Sequence, residues 1–323
     1  MIMENLIFGI HATLPIFLLM VLGYVLSLLK LVSRDFAKQL NSFVFKIALP
    51  FELFVDMAGQ DFASAWNGKY VLFCLAVTFL SICLSALVSR IVLRDDRAER
   101  GEFIQVAYRS SAAILGVAFI QNIYGEGHTA MAALMMIGSV PLYNIFAVIV
   151  LMTTAQDAQP QNTDRQALVR KTALGIVTNP ILLGIFIGFA WSLLRLPLPG
   201  IPKQVLSDVG KMATPLGLIA MGAMFDPAAA RKKAGPAIAA SVMKLLVLEA
   251  VFLPAAVAFG FRGQQLVALT VMLGSASTVA CYVMATSMGH EGTLTSSTVM
   301  ITTAGCSFSL ALWLYILKSL ALI

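Results

Sequence analysis

The chain has 323 residues, 59% of them hydrophobic and 12% charged, with a mean hydropathy of +0.88. At ~20 apolar residues per membrane crossing, this composition excludes a soluble globular protein and leaves no room for a separate soluble domain. The net charge of +6 and the pI near 9.2 do not point to nucleic acid, because the basic residues sit in short loops between apolar stretches, not in a patch with interleaved aromatics.

Ten apolar segments are read in order, at 6–29, 37–57, 68–92, 100–123, 128–153, 172–195, 203–225, 234–260, 263–288 and 293–319. With the N-terminus placed outside, the loops assigned to the inside carry thirteen Lys and Arg residues and those outside carry five. This bias orients a multi-pass protein of the inner (plasma) membrane with both termini outside the cytoplasm. The first segment is too long for a cleaved signal and lacks a basic leading region, so it is expected to remain as a span.

In span 2, Pro50 cannot donate to the carbonyl of Lys46, and in span 7 Pro215 leaves the carbonyl of Lys211 free in the same way. Each lysine with its kink either flanks a central cavity or snorkels from a helix end. Glu52, two residues past the first kink, is a candidate for coupling a proton, as is Asp56 one turn on.

Span 4 carries the strongest functional signal. Residues 100–127 place Arg109, Ser110, Ser111, Ala112, Ala113 and Gly116 in a stretch too polar to face lipid. A charge near the bilayer midplane costs at least ~2.5 kcal/mol, so Arg109 must face protein or water. The small residues permit close backbone approach and a break in the helix, which is tolerated at that depth only under cover of protein or a water-filled cavity. Arg109 either binds substrate or pairs with a carboxylate such as Glu52.

Span 5 contains Pro141-Leu142-Tyr143-Asn144, where Tyr143 and Asn144 either line the cavity or tie this span to span 4. In span 8, Lys244 and Glu249 stand five residues apart, poorly aligned on one helical face. They form a structural ion pair, or Glu249 couples a proton. Span 9 matches span 4 with a small polar centre of Gly274, Ser275, Ser277 and Thr278, followed by Tyr282. Cys74, Cys83, Cys281 and Cys306 lie in apolar spans without CxxC spacing and are expected to be small buried hydrophobes.

Sliding the chain against itself by 165 residues aligns 14–31 with 179–196, identical at eight of eighteen positions, and 38–54 with 203–219, identical at eight of seventeen. Pro15 meets Pro180, Gly23 meets Gly188, and Lys46-x-Ala-x-Pro50 meets Lys211-x-Ala-x-Pro215. The chain therefore divides into a first five-helix repeat at 1–154, a hydrophilic cytoplasmic linker at 155–171 and a second repeat at 172–323. Five is odd, so the second copy enters the membrane inverted, an arrangement of secondary transporters with their site at the midplane.

The stretches Phe103-Ile104-Gln105 through Leu115-Gly116, Pro141-Leu142-Tyr143-Asn144, Thr178-Asn179-Pro180, Ala213-Thr214-Pro215 and Tyr282-Val283-Met284-Ala285 together resemble the bacterial, malate and malonate permease-like branch of the auxin efflux carrier family. The resemblance covers essentially the whole chain. It implies an all-α membrane protein of ten transmembrane helices in two inverted repeats, similar to sodium/proton antiporters and bile-acid symporters. It also implies that broken helices 4 and 9 cross at midplane, that helices 1, 2, 6 and 7 form a scaffold past which the others move as an elevator, and that the protein is a homodimer. The chain departs from the family pattern at Ser111, Ala113, Ala118 and Ala276.

Four cations fall within the spans, Lys46, Arg109, Lys211 and Lys244, against two clear carboxylates, Glu52 and Glu249. The expected function is transport of a small organic anion, a mono- or dicarboxylate, bound by Arg109, Ser110, Ser111, Gly116, Tyr143, Asn144, Ser277, Thr278 and Tyr282. The alternatives are a sodium- or proton-coupled symporter of the bile-acid type and a sensor that binds an anion without moving it. No HExxH, GxSxG or intramembrane aspartate pair occurs, so neither an enzyme, a metal site nor a cofactor is expected.

Overall fold

The computed structural model describes residues 2–59, 67–94, 96–111, 119–124, 130–155, 174–175 and 177–323. Gly116 and, apart from Ala155, the linker at 155–171 lie outside them. Among the described residues the fold is helical, with no strand. In chain order the helices are α1 (Ile2–Leu28), α2 (Arg34–Phe43), α3 (Leu49–Ala58), α4 (Gly68–Val92), α5 (Arg97–Tyr108), α6 (Ala130–Thr154), α7 (Pro180–Leu193), α8 (Gly200–Lys211), α9 (Ala213–Met224), α10 (Pro227–Lys232), α11 (Ala234–Val242), α12 (Leu248–Ala258), α13 (Gln264–Gly274), α14 (Val279–Ser287) and α15 (Thr293–Ser319).

Four helices are whole and apolar enough to cross a membrane: Gly68–Val92, Met131–Thr154, Ala234–Ala258 and Thr293–Ser319. The pair α13 and α14, bent by 41° at the break between them, is long and apolar enough for a fifth when taken as one span, and Thr13–Leu28 and Pro180–Leu193 are shorter apolar helices. The other expected spans are divided for local reasons. Between α2 and α3 the backbone widens into one π-helical turn, Val44–Ala48, closed by the amide of Leu49 on the carbonyl of Val44 just before Pro50. In the second repeat the helix parts between Lys211 and Ala213, ahead of Pro215.

Side-chain caps set the helix starts. Ser33, Asn67, Asp96, Asn179, Asp226 and Thr278 each accept a backbone N–H from the first turn they precede. Cys74, Cys281 and Cys306 are buried as expected, whereas Cys83 is exposed on the outer face of α4.

The repeat offset reappears in the packing. A β-carbon on Gly23 would stand 2.2 Å from the carbonyl oxygen of Ile219, and one on Gly188 2.6 Å from that of Phe54. Gly188 is the counterpart of Gly23 at the offset of 165, and Ile219 that of Phe54. Helix α1 thus packs on α9 as α7 packs on α3, backbone against backbone, and the two contacts exchange residue for residue. These elements and α8 form one panel. Helices α4, α5 and α6 pack together, with α11 to α15 completing the second body, which meets the panel where α15 packs on α1 and α6 on α7.

At one end of the bundle the carboxylate of Glu102 accepts the backbone N–H of Gly292 at 2.9 Å, that of Thr295 at 3.0 Å and the Thr295 hydroxyl at 2.9 Å. A buried carboxyl group on α5 therefore caps the start of α15. Beside it Lys233 bridges Glu99, at 2.8 Å, and Glu291.

Candidate functional site

The two helix breaks meet. Helix α5 ends at Tyr108, and Arg109 turns extended, at φ −75° and ψ 137°. The opposite break lies at 275–278, between α13 and α14. The amide of Ser111 donates to the carbonyl of Ala276 at 2.9 Å, and the hydroxyl of Ser277 donates to that of Val106 at 2.7 Å. The side-chain amide of Gln105 donates to the carbonyl of Cys281 at 2.8 Å. Each unwound stretch therefore gives the other hydrogen-bond partners that its own helix no longer supplies, which makes broken backbone tolerable inside an apolar body.

A cavity of about 80 Å³ opens at this junction. From the panel it is lined by Leu49, Glu52, Leu53 and Asp56 of α3 and Thr214 of α9; from the second body by Arg109, Ser110, Ser111, Val140, Tyr143, Asn144, Thr278 and Ala280. The seam between the two bodies thus runs through a polar site.

Arg109 is 3% exposed. Its Nη2 donates to Oδ1 of Asn144 at 3.0 Å, its Nη1 points to the sulfur of Met284 at 2.7 Å, and its Nε has no partner. A guanidinium carries five N–H donors, and thioether sulfur is a weak acceptor, so most of this donor capacity is unused. Among the described residues Arg109 makes no ion pair, which corrects the expected alternative of a structural pair with Glu52. Asn144 fulfils both roles considered for it. It lines the cavity and holds Arg109, while its own amide donates to the carbonyl of Val140 at 2.9 Å. Tyr143 lines the cavity and donates to the carbonyl of Met272 at 3.2 Å.

Thr278 faces the cavity and caps α14, its hydroxyl oxygen accepting from the amide of Ala280 at 3.3 Å. The N-terminus of a nine-residue helix, with its positive dipole end, therefore borders the same space as Arg109. Arg109 and this helix start form the positive side of the site. Glu52 and Asp56, one helical turn apart on α3, form the acidic side.

Several expected residues lie elsewhere. Lys46 and Lys211 are exposed and do not line the cavity, so each lysine ahead of a proline points outward. A long aliphatic stem lets the ammonium leave the apolar interior, as in the snorkelling alternative. Ser277 is taken up by Val106 and by Thr302, whose hydroxyl accepts the Ser277 amide at 3.1 Å. The Tyr282 ring packs against Gly292. Neither lines the cavity. Gly116 lies outside the described residues. Glu249 is fully buried but stands behind the break, against Gly274. Thr214 and, as a wall of the site, Leu49 and Leu53 were not anticipated. Thr214 precedes the span 7 proline, and the counterpart of that position is where the first repeat opens into the cavity.

The chain is a multi-pass membrane protein. A family model described as membrane transport protein matches residues 8–314. An uncharacterized transporter of Methanocaldococcus jannaschii is 23% identical over 308 residues, 94% of this chain and 96% of that protein. The lysosomal cholesterol signaling protein of Mus musculus is 28% identical over 193 residues, 56% of this chain and 21% of that protein. With the family match running over nearly its whole length, the chain belongs to the membrane transport protein family, that of the auxin efflux carriers.

Proposed function

We propose that the protein is a secondary transporter of a small organic anion, a mono- or dicarboxylate, moved across the inner membrane by alternating access. The observation that carries this is the cavity at the seam, where an unsaturated guanidinium and a helix N-terminus face each other's ligand space. A carboxylate accepts bidentate hydrogen bonds from a guanidinium, and it is stabilised at a helix start. Ten spans in two inverted repeats, with both termini outside, are the topology in which this cavity lies at the midplane. The second body slides past the panel of spans 1, 2, 6 and 7 in an elevator movement, and the panel supplies a homodimer contact. The cavity of about 80 Å³ is below the ~300 Å³ of ordinary ligand sites. Substrate entry therefore requires the seam to open.

A second feature specifies the coupling. Glu52 and Asp56 line the cavity across from Arg109 and are its acidic groups, whereas Glu249 has no access to it. An anion that draws on Arg109 while the α3 carboxylates take up a proton crosses as a proton symport. An uncoupled anion would leave an inside-negative cell with a gain of ~2.3 kcal/mol per 100 mV for each charge.

The test uses proteoliposomes adsorbed on a sensor surface and challenged with malonate, malate, succinate, lactate, indole-3-acetate and a choline control, with a lumenal pH dye read in parallel. A saturable current or pH change for at least one carboxylate is expected. Silence in both channels for every anion, with the protein folded, would overturn the proposal.

A further inference from the structure

Behind the cavity, the same two breaks enclose a second charged group. Lys244 and Glu249 sit on the continuous helix Ala234–Ala258 and are both wholly buried. Five residues apart, they would diverge on an ordinary α-helix. One π-helical turn at Met243–Val247, closed by the amide of Leu248 on the carbonyl of Met243, widens the helix there to i→i+5 bonding. The Lys244 ammonium donates to the carbonyl of Leu273, in the last turn of α13, and to the hydroxyl of Ser110 in the opposite break. Ser110 donates in turn to the carbonyl of Met272.

The Glu249 carboxylate lies against the α-carbon of Gly274, where a β-carbon would come within 2.2 Å of Cδ and 2.3 Å of either oxygen. Neither carboxylate oxygen has a hydrogen-bond partner. One carbonyl at the C-terminal end of a half-helix and one hydroxyl thus hold the ammonium, and the unpartnered Glu249 carboxyl lies at the next residue of that half-helix, forming no ion pair with Lys244 among the described residues. These are hard oxygen donors at the negative end of a helix dipole, the donor set by which discontinuous helices hold an alkali cation.

We propose that Lys244 is a tethered cation that takes the place of a coupling sodium ion at the crossing of the two breaks. Its amino group occupies the carbonyl end of α13 and the Ser110 hydroxyl in every step of the cycle, so the protein needs no sodium to assemble the crossing. Removing the side chain leaves an oxygen cage that a sodium or lithium ion enters. The consequence for coupling rests on the anion-transport reading above; the cation binding does not.

The experiment is thermal unfolding of the detergent-purified full chain in sodium, lithium, potassium or choline chloride at one ionic strength, without substrate. The wild type is expected to melt at the same temperature in all four salts. Lys244→Ala is expected to melt lower in choline and to recover by about 3 °C or more in sodium or lithium, saturably, as a bound ligand stabilises the folded state. Lys244→Ala with Glu249→Gln, which removes the carboxylate, is expected to lose that recovery. A sodium-specific rise in the wild type would overturn the proposal, as would a folded Lys244→Ala that ignores the salt. Should Lys244→Ala fail to fold, Lys244→Met and wild-type anion uptake decide: sodium-dependent uptake by the wild type contradicts the proposal, and uptake unchanged in choline supports it. Absence of any uptake with the melting pattern as expected would refute the transport reading alone.

Discussion

Gly23→Ala and Gly188→Ala probe the panel that supports the site. A β-carbon at Gly23 would stand 2.2 Å from the Ile219 carbonyl oxygen where ordinary contact begins at 3.4 Å, so α1 and α9 must part by about 1.2 Å. At Gly188 the corresponding distance is 2.6 Å and the required parting about 0.8 Å. Both obstacles are backbone atoms, which no rotamer change can move. A gap of ~0.5–1 Å forfeits a quarter to a half of the dispersion energy of the atoms lining it. Overpacking of this kind costs ~1–3 kcal/mol, partly offset by the ~1 kcal/mol by which alanine exceeds glycine in a helix. Net losses of about 2 kcal/mol at Gly23 and about 1 kcal/mol at Gly188 result, or melting temperatures lower by about 4 °C and about 2 °C, adding in the double variant. Gly235→Ala is the control, since nothing lies within 4 Å of its would-be β-carbon, and it should hold or slightly raise the melting temperature. Were Gly23→Ala and Gly188→Ala to melt with the control, the reciprocal backbone contact would be refuted.

Glu102→Gln removes a carboxylate that accepts three hydrogen bonds at the start of α15. It is expected to cost about 2–4 kcal/mol and to speed amide exchange at Gly292 and Thr295; unchanged exchange there would contradict the cap. The hydrogen bond from Lys233 holds the Glu291 carboxyl below its ordinary value of 4.5, ahead of the opposing effect of burial and the help of Thr293. A depressed carboxyl contributes stability that is complete above its unfolded value and is lost as pH falls through its folded value. The acid limb of a melting-temperature profile below pH 4.5 should therefore flatten in Lys233→Met, and a limb of unchanged slope would remove Glu291 from the account. Glu52→Gln with Asp56→Asn should abolish lumenal pH changes driven by an anion gradient while anion exchange continues; proton movement persisting in that double variant would place coupling elsewhere.

The pairing of Gly23 and Gly188 at the offset of 165 was legible, and each of the two stands against a backbone carbonyl of the aligned stretch in the other's half of the chain. Gly23 and Gly188 kept their glycines for a contact that no other residue permits. Arg109 was legible for a related reason: a charge amid apolar and small residues has few places to go except a covered polar space. Asp56 stood one turn from Glu52 and shared its face, so the acidic side of the cavity was readable as well. The features that could not be read depend on departures from regular helix. The π-helical turn at Met243–Val247 is announced by no residue in MKLLV, and the ion pair expected of Lys244 and Glu249 is not formed among the described residues: Lys244 bonds Leu273 and Ser110, and Glu249 has no partner. In the unwound stretch Ser277 bonds Val106 and Thr302, and the Tyr282 ring turns to Gly292, so neither joins Thr278 at the cavity. The lysines of the recurring Lys-x-Ala-x-Pro pattern stand at the helix interruptions, but their long stems carry the charge outward.

The most direct test of the anion site is counterflow, the exchange of labelled carboxylate into proteoliposomes preloaded with the same unlabelled anion. It needs neither a coupling ion nor a membrane potential. The wild type is expected to exchange at least one of malonate, malate, succinate or lactate saturably. Arg109→Ala should lower that exchange by about 30-fold or more, as expected for loss of a charged partner worth ~2–5 kcal/mol, and Arg109→Lys should restore only part of it. Exchange at the wild-type rate in a folded Arg109→Ala protein would contradict the account, because the cavity at the crossing would then not hold the substrate.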